Sequence, residues 1–272
     1  SDGQGARVSR LIRVTADAAT GYATAVPGSE VVLLGTNSTF ENIGNVAERN
    51  TDTPSCERDG VYVRDCLPAD EHSHTIGRVR FGPDGALYVG SGDGADFNRT
   101  QPYHMRVQSL DSLAGKLLRI DPDTGEGLEL NPFWDGDPDS NRSKVVDFGL
   151  RNPYSYTFHP DSWEPVIADV GWATWEMIKI GSGRNFGWPC YEGGSGVLLE
   201  QSTFRNMAEC QAVYDGANGE VTAPYYAYNR EGTGGAIVGG DIFTGTVLPE
   251  RYQRQLFFAD YYLGWIRSVT ID

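Results

Sequence analysis

Apolar residues along this chain come in short runs closed by Gly, Pro, Asp or Asn, and the 3.6-residue spacing of an amphipathic helix is hard to find. The runs are rich in Val, Ile, Leu, Tyr and Phe and predict strands. They lie at Val8–Thr15, Glu30–Leu34, Arg78–Phe81, Ala86–Gly90, Lys116–Ile120, Pro165–Asp169, Met177–Ile180, Ala236–Phe243 and Gln255–Ala259. One short helical turn is predicted near Leu110–Leu117.

A weak repeat orders these runs. Phe81-Gly82-Pro83-Asp84-Gly85 precedes the strand Ala86–Val89, and Phe158-His159-Pro160-Asp161-Ser162 precedes Trp163–Asp169. Ile120-Asp121-Pro122-Asp123-Thr124-Gly125 repeats the turn alone. Proline sets φ at the second turn position while Asp and Gly tolerate the conformations of the later positions, so each is read as a strand–turn–strand hairpin. Hairpins at blade-like intervals predict an all-β propeller, with a sandwich of ordinary hairpins as the alternative. Residues 36–72 and 193–223 lack strand pattern and read as insertion loops, the kind of segment that faces a ligand or partner.

Composition narrows the setting. The chain has 272 residues, enough for a single domain spanning 1–272, and 37 acidic against 22 basic residues give a net charge of −15. That balance repels phosphate backbones and excludes nucleic acid as a natural partner. The acids are spread along the chain, many beside Gly and Asn in turns where oxygen ligands for Ca²⁺ arise. No apolar run is long enough for a membrane span. The opening SDGQGARVSR carries neither an initiator Met nor an apolar h-region and reads as a mature or excised end. The 4 cysteines fall into two local pairs, Cys56 with Cys66 and Cys190 with Cys210. Neither has C-x-x-C spacing; each suits a disulfide clip in an extracellular or periplasmic protein, with free buried thiols as the alternative. N-glycosylation sequons stand at Asn37, Asn98 and Asn141.

The candidate chemistry centres on His74-Thr-Ile-Gly77-Arg78 through Ser91-Gly92-Asp93. His74 and Asp93 sit at the entry and exit of a two-stranded hairpin, so antiparallel pairing brings them within reach of each other. A carboxylate bonded to one imidazole nitrogen fixes the tautomer and leaves the other as a base.

Further along come Gly115-Lys116 to Gly125, Asn131-Pro132-Phe133, Gly149-Leu-Arg151-Asn152-Pro153, Asp169-Val-Gly171-Trp172 with Trp175-Glu176, and Asn185-Phe-Gly187-Trp188-Pro189. In this order, these motifs resemble the glucose/sorbosone dehydrogenase family from about Arg7 to the C-terminus. The resemblance implies a six-bladed β-propeller of the soluble quinoprotein glucose dehydrogenase type. It also implies oxidation of an aldose at its anomeric hydroxyl with pyrroloquinoline quinone (PQQ) and Ca²⁺. By that resemblance His74 is the general base, Asp93 orients it, and Arg151 stabilises negative charge on the reduced quinone. Asn152, Gly171 and Trp172 position the cofactor, and the Gly171 and Trp172 carbonyls with Glu176 stand where Ca²⁺ is held. Read alone, Arg151 is equally a structural ion-pair partner, Asn152 a turn residue and Glu176 a strand-end acid.

Two departures shape the alternatives. The late hairpin Gly239-Gly240-Asp241-Ile242-Phe243-Thr244-Gly245 and Phe258–Gly264 carry no cation, and Asp260 adds a negative charge. Asp169-Val-Gly171 and this hairpin are closer to hedgehog-interacting-protein-like members, which implies a non-catalytic extracellular recognition propeller with a glycan or protein partner. A blade is also expected ahead of Val8, so the propeller is predicted to be N-terminally incomplete and completed by a preceding segment or a partner chain. A Ca²⁺-stabilised carbohydrate-binding module using Trp172, Trp175 and Tyr226 ranks last.

Overall fold

The computed structural model of the chain describes residues 7–43, 54–71, 73–97 and 99–272. Three consecutive antiparallel meanders make up most of it. The first is β5 (Ile76–Phe81), β6 (Leu87–Ser91), β7 (Lys116–Ile120) and β8 (Val145–Phe148), paired in that order. The second is β9 (Ser155–Phe158), β10 (Pro165–Asp169), β11 (Trp175–Ile180) and β12 (Tyr226–Asn229). The third is β13 (Ile237–Ile242), β14 (Gln255–Asp260) and β15 (Trp265–Thr270). Ahead of them lie the pairs β1 (Leu11–Arg13) with β2 (Val31–Leu34) and β3 (Glu57–Arg58) with β4 (Val61–Tyr62).

The predicted hairpin turns do join these strands. Phe81 pairs with Leu87 across the Gly-Pro-Asp-Gly turn, where Gly85 takes φ +81°, a left-handed conformation that glycine adopts without steric cost. In the second meander Phe158 pairs with Pro165, and His159 Nδ1 accepts hydrogen bonds from the Asp161 and Ser162 amides. Trp163 is left to adopt the positive φ that Gly85 supplies in the first.

Strands β6 and β7 are buried on both faces. Leu87, Val89, Leu118 and Ile120 pack on one side with Leu33 and Leu34 of β2. Tyr88 and Leu117, one residue out of phase, pack on the other with Tyr156 of β9 and Ile167 of β10. Period-two alternation across a sheet covered by neighbours on both sides gives the near-continuous apolar runs that mark these strands in the sequence.

The leading strands of the three meanders lie side by side. The Arg78 amide on β5 donates to the Tyr154 carbonyl at 3.1 Å, its guanidinium to the Tyr156 carbonyl at 2.8 Å, and the Gly239 amide on β13 to Ser155 Oγ at 2.6 Å. At the far ends of these strands Thr157 Oγ1 donates to Asp241 Oδ1 at 2.6 Å, and Arg80 joins both. Asp241 of the late hairpin is therefore a tie between blades. The near ends of the same strands open onto a cavity.

Several expectations change. Leu110–Leu117 is not helical: a 3-10 helix covers Pro102–Gln108, and Gly115 at φ +61° turns the chain straight into β7. The stretch 193–223 carries a helix, α1 (Ala208–Tyr214), whose Cys210 and Val213 are buried. Within 36–72, β3 and β4 form a hairpin clipped by the Cys56–Cys66 disulfide, while residues 44–53 and 72 lie outside the described residues. Cys190–Cys210 is the second disulfide. Of the sequons, Asn37 is exposed and Asn98 lies outside the described residues. Asn141 is buried, its amide donating to the Val63 and Asp111 carbonyls and accepting from the Asp65 amide. A glycan has no access there in the folded chain.

Candidate active site

His74 precedes β5 by two residues, and Gly92 and Asp93 follow β6, so the hairpin returns them to the same end. The loop around them is closed by backbone bonds: the Gly92 amide donates to Thr75, the Gly94 amide to His74 and the Asp93 amide to Arg151. His74 itself sits at φ +58°, an uncommon conformation for a residue other than glycine and one that recurs at functional sites. Gly92 lies so close beneath it that a Cβ would fall 2.4 Å from the His74 carbonyl oxygen. Gly92→Ala should therefore displace His74 and lower the affinity of the cavity for its ligand while the fold persists. Calorimetric titration beside a thermal melt checks this, and an unchanged affinity would remove Gly92 from the support of the site.

His74 Nδ1 meets Asp93 Oδ1 at 2.8 Å, with the imidazole nearly buried and the carboxylate fully so. The other carboxylate oxygen accepts from Trp188 Nε1 at 2.9 Å, and the Ala95 amide donates to Oδ1 at 3.1 Å. Burial alone would raise the Asp93 pKa, but His74, its hydrogen bond, His104 and Arg151 outweigh it and hold the group well below the usual carboxylate range. Asp93 is thus a fixed anion, which favours a proton on Nδ1 and leaves Nε2 as the acceptor. Burial, followed by the Arg151 charge, lowers the His74 pKa against the pull of Asp93, so the ring is neutral at neutral pH.

Asp93 is held from behind as well. Arg106 donates from Nε and Nη2 to the Asp93 carbonyl at 3.0 and 2.6 Å and pairs with Asp70, both side chains being buried. Asp70 in turn accepts from the Ser55 amide and hydroxyl at 2.7 Å each. The first cysteine-clipped insertion therefore backs the dyad.

Arg151 and Asn152 lead into β9. Asp169, at the end of β10, accepts the Asn152 amide at 2.7 Å, the Arg151 amide at 3.2 Å and Lys179 Nζ at 2.6 Å. The Arg151 guanidinium lies 5.3 and 5.5 Å from the Trp172 and Trp188 ring centres and donates to the Val170 and Gly171 carbonyls at 3.0 and 2.7 Å. Its Nε has no partner although it is buried. Trp172 is held by Glu192, whose Oε1 accepts the Trp172 and Ala173 amides at 2.7 and 3.1 Å while Oε2 accepts from Gln201. The Glu192 amide also donates to the Leu199 carbonyl, so the second insertion supports this part of the cavity wall.

These side chains surround a cavity of about 620 Å³ whose wall includes His74, Arg151, Asn152, Gly171 and Trp172. Sequence reasoning missed a charged wall residue, Arg230. Its guanidinium stands 3.4 Å from Glu176 and donates to the Gly235 carbonyl, while its buried Nε lacks a partner. Arg230 lies just past β12, outside the late segments 239–245 and 258–264; pairing of β11 with β12 places it beside Glu176. Asp260, expected to add charge to the site, instead clamps the β14–β15 turn, accepting the Tyr262 and Leu263 amides and the Tyr228 hydroxyl.

The Ca²⁺ assignment does not fit these residues. A calcium ion asks for six to eight oxygens, but the Gly171 carbonyl already accepts from Arg151, and a guanidinium held there opposes a cation. Glu176 is fully buried behind the wall, one oxygen accepting the Gly171 and Ile237 amides and the other facing Arg230. Among the described residues no group of three or more His, Cys, Asp or Glu side chains is placed to hold a metal. Burial raises the Glu176 pKa to about 7 against the opposing pull of Arg230 and the two amides.

Fold and site together define a propeller-like β protein with a His–Asp pair and two buried guanidiniums in a cavity at the entry ends of its inner strands. The glucose/sorbosone dehydrogenase profile matches residues 36–261, and the chain belongs to that family. It is 32% identical to the HIPL2 protein of Arabidopsis thaliana over 211 residues, which is 68% of this chain and 28% of that protein. Its fold is similar to the PQQ-bound aldose sugar dehydrogenase of Streptomyces coelicolor, with a TM-score of 0.51, 23% identity and coverage of 74% of this chain and 46% of that one. It is also similar to the apo soluble aldose sugar dehydrogenase of Escherichia coli, with a TM-score of 0.52, 23% identity and coverage of 72% and 50%. The chain thus spans about half the length of these structures and under a third of the curated relative.

Proposed function

We propose that the cavity oxidises an aldose at its anomeric hydroxyl, with PQQ as the acceptor and His74 as the base. The observation that carries this reading is the neutral, Asp93-oriented imidazole set in one cavity with Arg151 and Arg230. When bound, PQQ supplies the two-electron acceptor for the hydride that leaves the anomeric carbon. His74 Nε2 takes the hydroxyl proton, and the products are the lactone and the reduced cofactor. Arg151 and Arg230, each with an unpartnered Nε, suit a multiply anionic quinone, since charge-assisted hydrogen bonds are the stronger kind. Asn152, Gly171 and Trp172 complete its seat, and no step is assigned to Ca²⁺.

In this reading the three meanders are blades of a six-bladed propeller, with the remaining blades contributed by a preceding segment or a partner chain. The two disulfides support an oxidising setting, extracellular or periplasmic. Among the described residues no helix is long and apolar enough to cross a membrane. A second reading, a recognition propeller that has lost the cofactor, is favoured by the higher identity to the HIPL2 protein than to the dehydrogenases.

Reconstitution separates the two. The protein is expected to bind PQQ by calorimetry and by a change in quinone absorbance, and then to reduce a dye when supplied with aldoses. Absence of PQQ binding would remove the dehydrogenase reading and leave the recognition propeller.

A further inference from the structure

A second histidine stands behind the His74–Asp93 pair. His104, on the 3-10 helix Pro102–Gln108, is fully buried, and its Nε2 has no hydrogen-bond partner although it lies 4.0 Å from Asp93 Oδ2. Aromatic rings pack against it, with the Phe204 and Trp188 centres at 5.0 and 6.1 Å. Those rings belong to a core cluster that also holds Val107 and Ala114 and is otherwise apolar. Packing accounts for a ring at this place but not for two nitrogens, which are costly to bury unless they are used.

One arrangement uses both. Nδ1 lies 3.2 Å from the Gln101 amide nitrogen and 2.9 Å from the Gln101 carbonyl oxygen. The amide only donates and the carbonyl only accepts, so a neutral ring serves one of them. With its proton on Nδ1, the lone pair of Nε2 would face the Asp93 anion. With its proton on Nε2, Nδ1 accepts from the amide and the N–H dipole faces the anion instead. Both side chains are fully buried, so this difference is weakly screened and selects Nε2–H. Burial keeps the ring neutral against the pull of Asp93. Oδ2 then faces two donors, Trp188 Nε1 at 2.9 Å and His104, while Oδ1 accepts from His74 and the Ala95 amide. The other charges around these groups are Arg106 with its partner Asp70, and Arg151 with Asp169, Glu176 and Glu192. Arg106 is engaged by the Asp93 main-chain carbonyl and Asp70, and Arg151 by the Val170 and Gly171 carbonyls.

We propose that His104 is a positioning residue for the base: its Nε2–H, together with Trp188, fixes the Asp93 carboxylate and limits the proton affinity that Asp93 confers on His74. This rests on the reading of His74 as the base and adds the residue that tunes it. His104 is not part of the cavity wall, so its effect reaches the site only through Asp93. When His74 gains a proton, the imidazolium and the N–H dipole face the same carboxylate. The dipole opposes the new charge, and the base holds its proton less tightly than Asp93 alone would make it.

The experiment reads the ring nitrogens by heteronuclear NMR in the protein without PQQ. In the unsubstituted chain His104 should show the neutral ring with its proton on Nε2; a proton on Nδ1 would overturn the proposal before any variant is made. His104→Phe keeps a ring in the aromatic cluster and removes the dipole. The titration midpoint of His74 should then move to higher pH, because nothing opposes the imidazolium at Oδ2 except Trp188. His104→Gln places an amide N–H near the position of Nε2 and should return the midpoint toward its original value. A role in packing alone predicts the reverse order, since the phenyl ring fills the site and the amide does not. A midpoint unchanged in His104→Phe, or displaced equally by both substitutions, would overturn the assignment. In the reconstituted protein the acid limb of kcat/KM should move with the midpoint. Failure to bind PQQ would remove the dehydrogenase reading and leave these titrations as they stand.

Discussion

In the PQQ-reconstituted protein, His74→Ala should lower turnover by about 10²–10⁴-fold, the span over which positioned general bases act. The fold should be unaffected, because the imidazole lines a cavity instead of packing a core cluster. Asp93→Asn should give a comparable loss for a different reason. An amide retains the shape but removes the anion to which Nδ1 donates, so the ring is free to place its proton on Nε2 and cease to be a base. The pH dependence carries a sign. Burial and Arg151 set the His74 pKa below the ordinary 6.5, so the fall in kcat/KM that protonation of His74 causes should come in solution more acid than that value. Glu176 adds a second inflection near pH 7: as it ionises it neutralises Arg230, and affinity for an anionic cofactor should decline as pH rises through that value. Glu176→Gln should abolish this inflection and keep the acid limb. Steady-state profiles of the three variants check the scheme; full activity in His74→Ala would end the assignment of the base.

How much of this can be seen in the chain differs by element. Lys116–Ile120 and Pro165–Asp169 are strands at the expected bounds because both are central and buried, where the apolar run and the strand coincide. The outer strands β12 and β15 are not foreshadowed in the sequence pattern. Tyr226–Asn229 and Trp265–Thr270 are partly exposed on the rims of their sheets, and their conformation is imposed by pairing with β11 and β14 rather than by a pattern of their own. β8, the short run Val-Val-Asp-Phe, is equally unmarked. The helix is expected eight residues late because Leu110, Leu113 and Leu117 mimic helical spacing, whereas Gly115 breaks it and the three leucines divide between two core clusters.

The site shows the same division. His74 and Asp93 are readable as a pair because hairpin geometry converts sequence separation into contact. Arg230 and Glu192 are not, since the pairing of β11 with β12 brings the first to the cavity, and the second reaches the wall only through its bonds to Trp172 and to Leu199 and Gln201 of the second insertion. The calcium donors fail for an energetic reason. The resemblance supplies carbonyls at Gly171 and Trp172, but only the fold shows a guanidinium 2.7 Å from the first of them.

The largest expected effect on stability comes from a pair outside the cavity. Lys179 and Asp169 are 1 and 0% exposed, with Nζ 2.6 Å from Oδ2. Lys179→Met keeps most of the volume and the apolar stem, but removes the ammonium that lies 5.4 Å from the Phe186 ring centre and strands the Asp169 carboxylate in the interior. Removing one partner of a buried ion pair costs about 3–5 kcal/mol, because the remaining charge has lost its counter-ion and cannot reach water. In a chain of this size that is on the order of 10 °C in Tm. The Asp169 carboxylate also accepts the Arg151 and Asn152 amides, so the variant should lose PQQ affinity before it unfolds. Asp169→Asn in the same chain removes the stranded charge and keeps an acceptor for one amide. The double variant should therefore be more stable than Lys179→Met alone, a non-additivity that a pair acting only through packing would not produce. Thermal and denaturant melts of the two singles and the double decide it: if the second substitution adds its full cost to the first, the charge pair does not support the floor of the cavity.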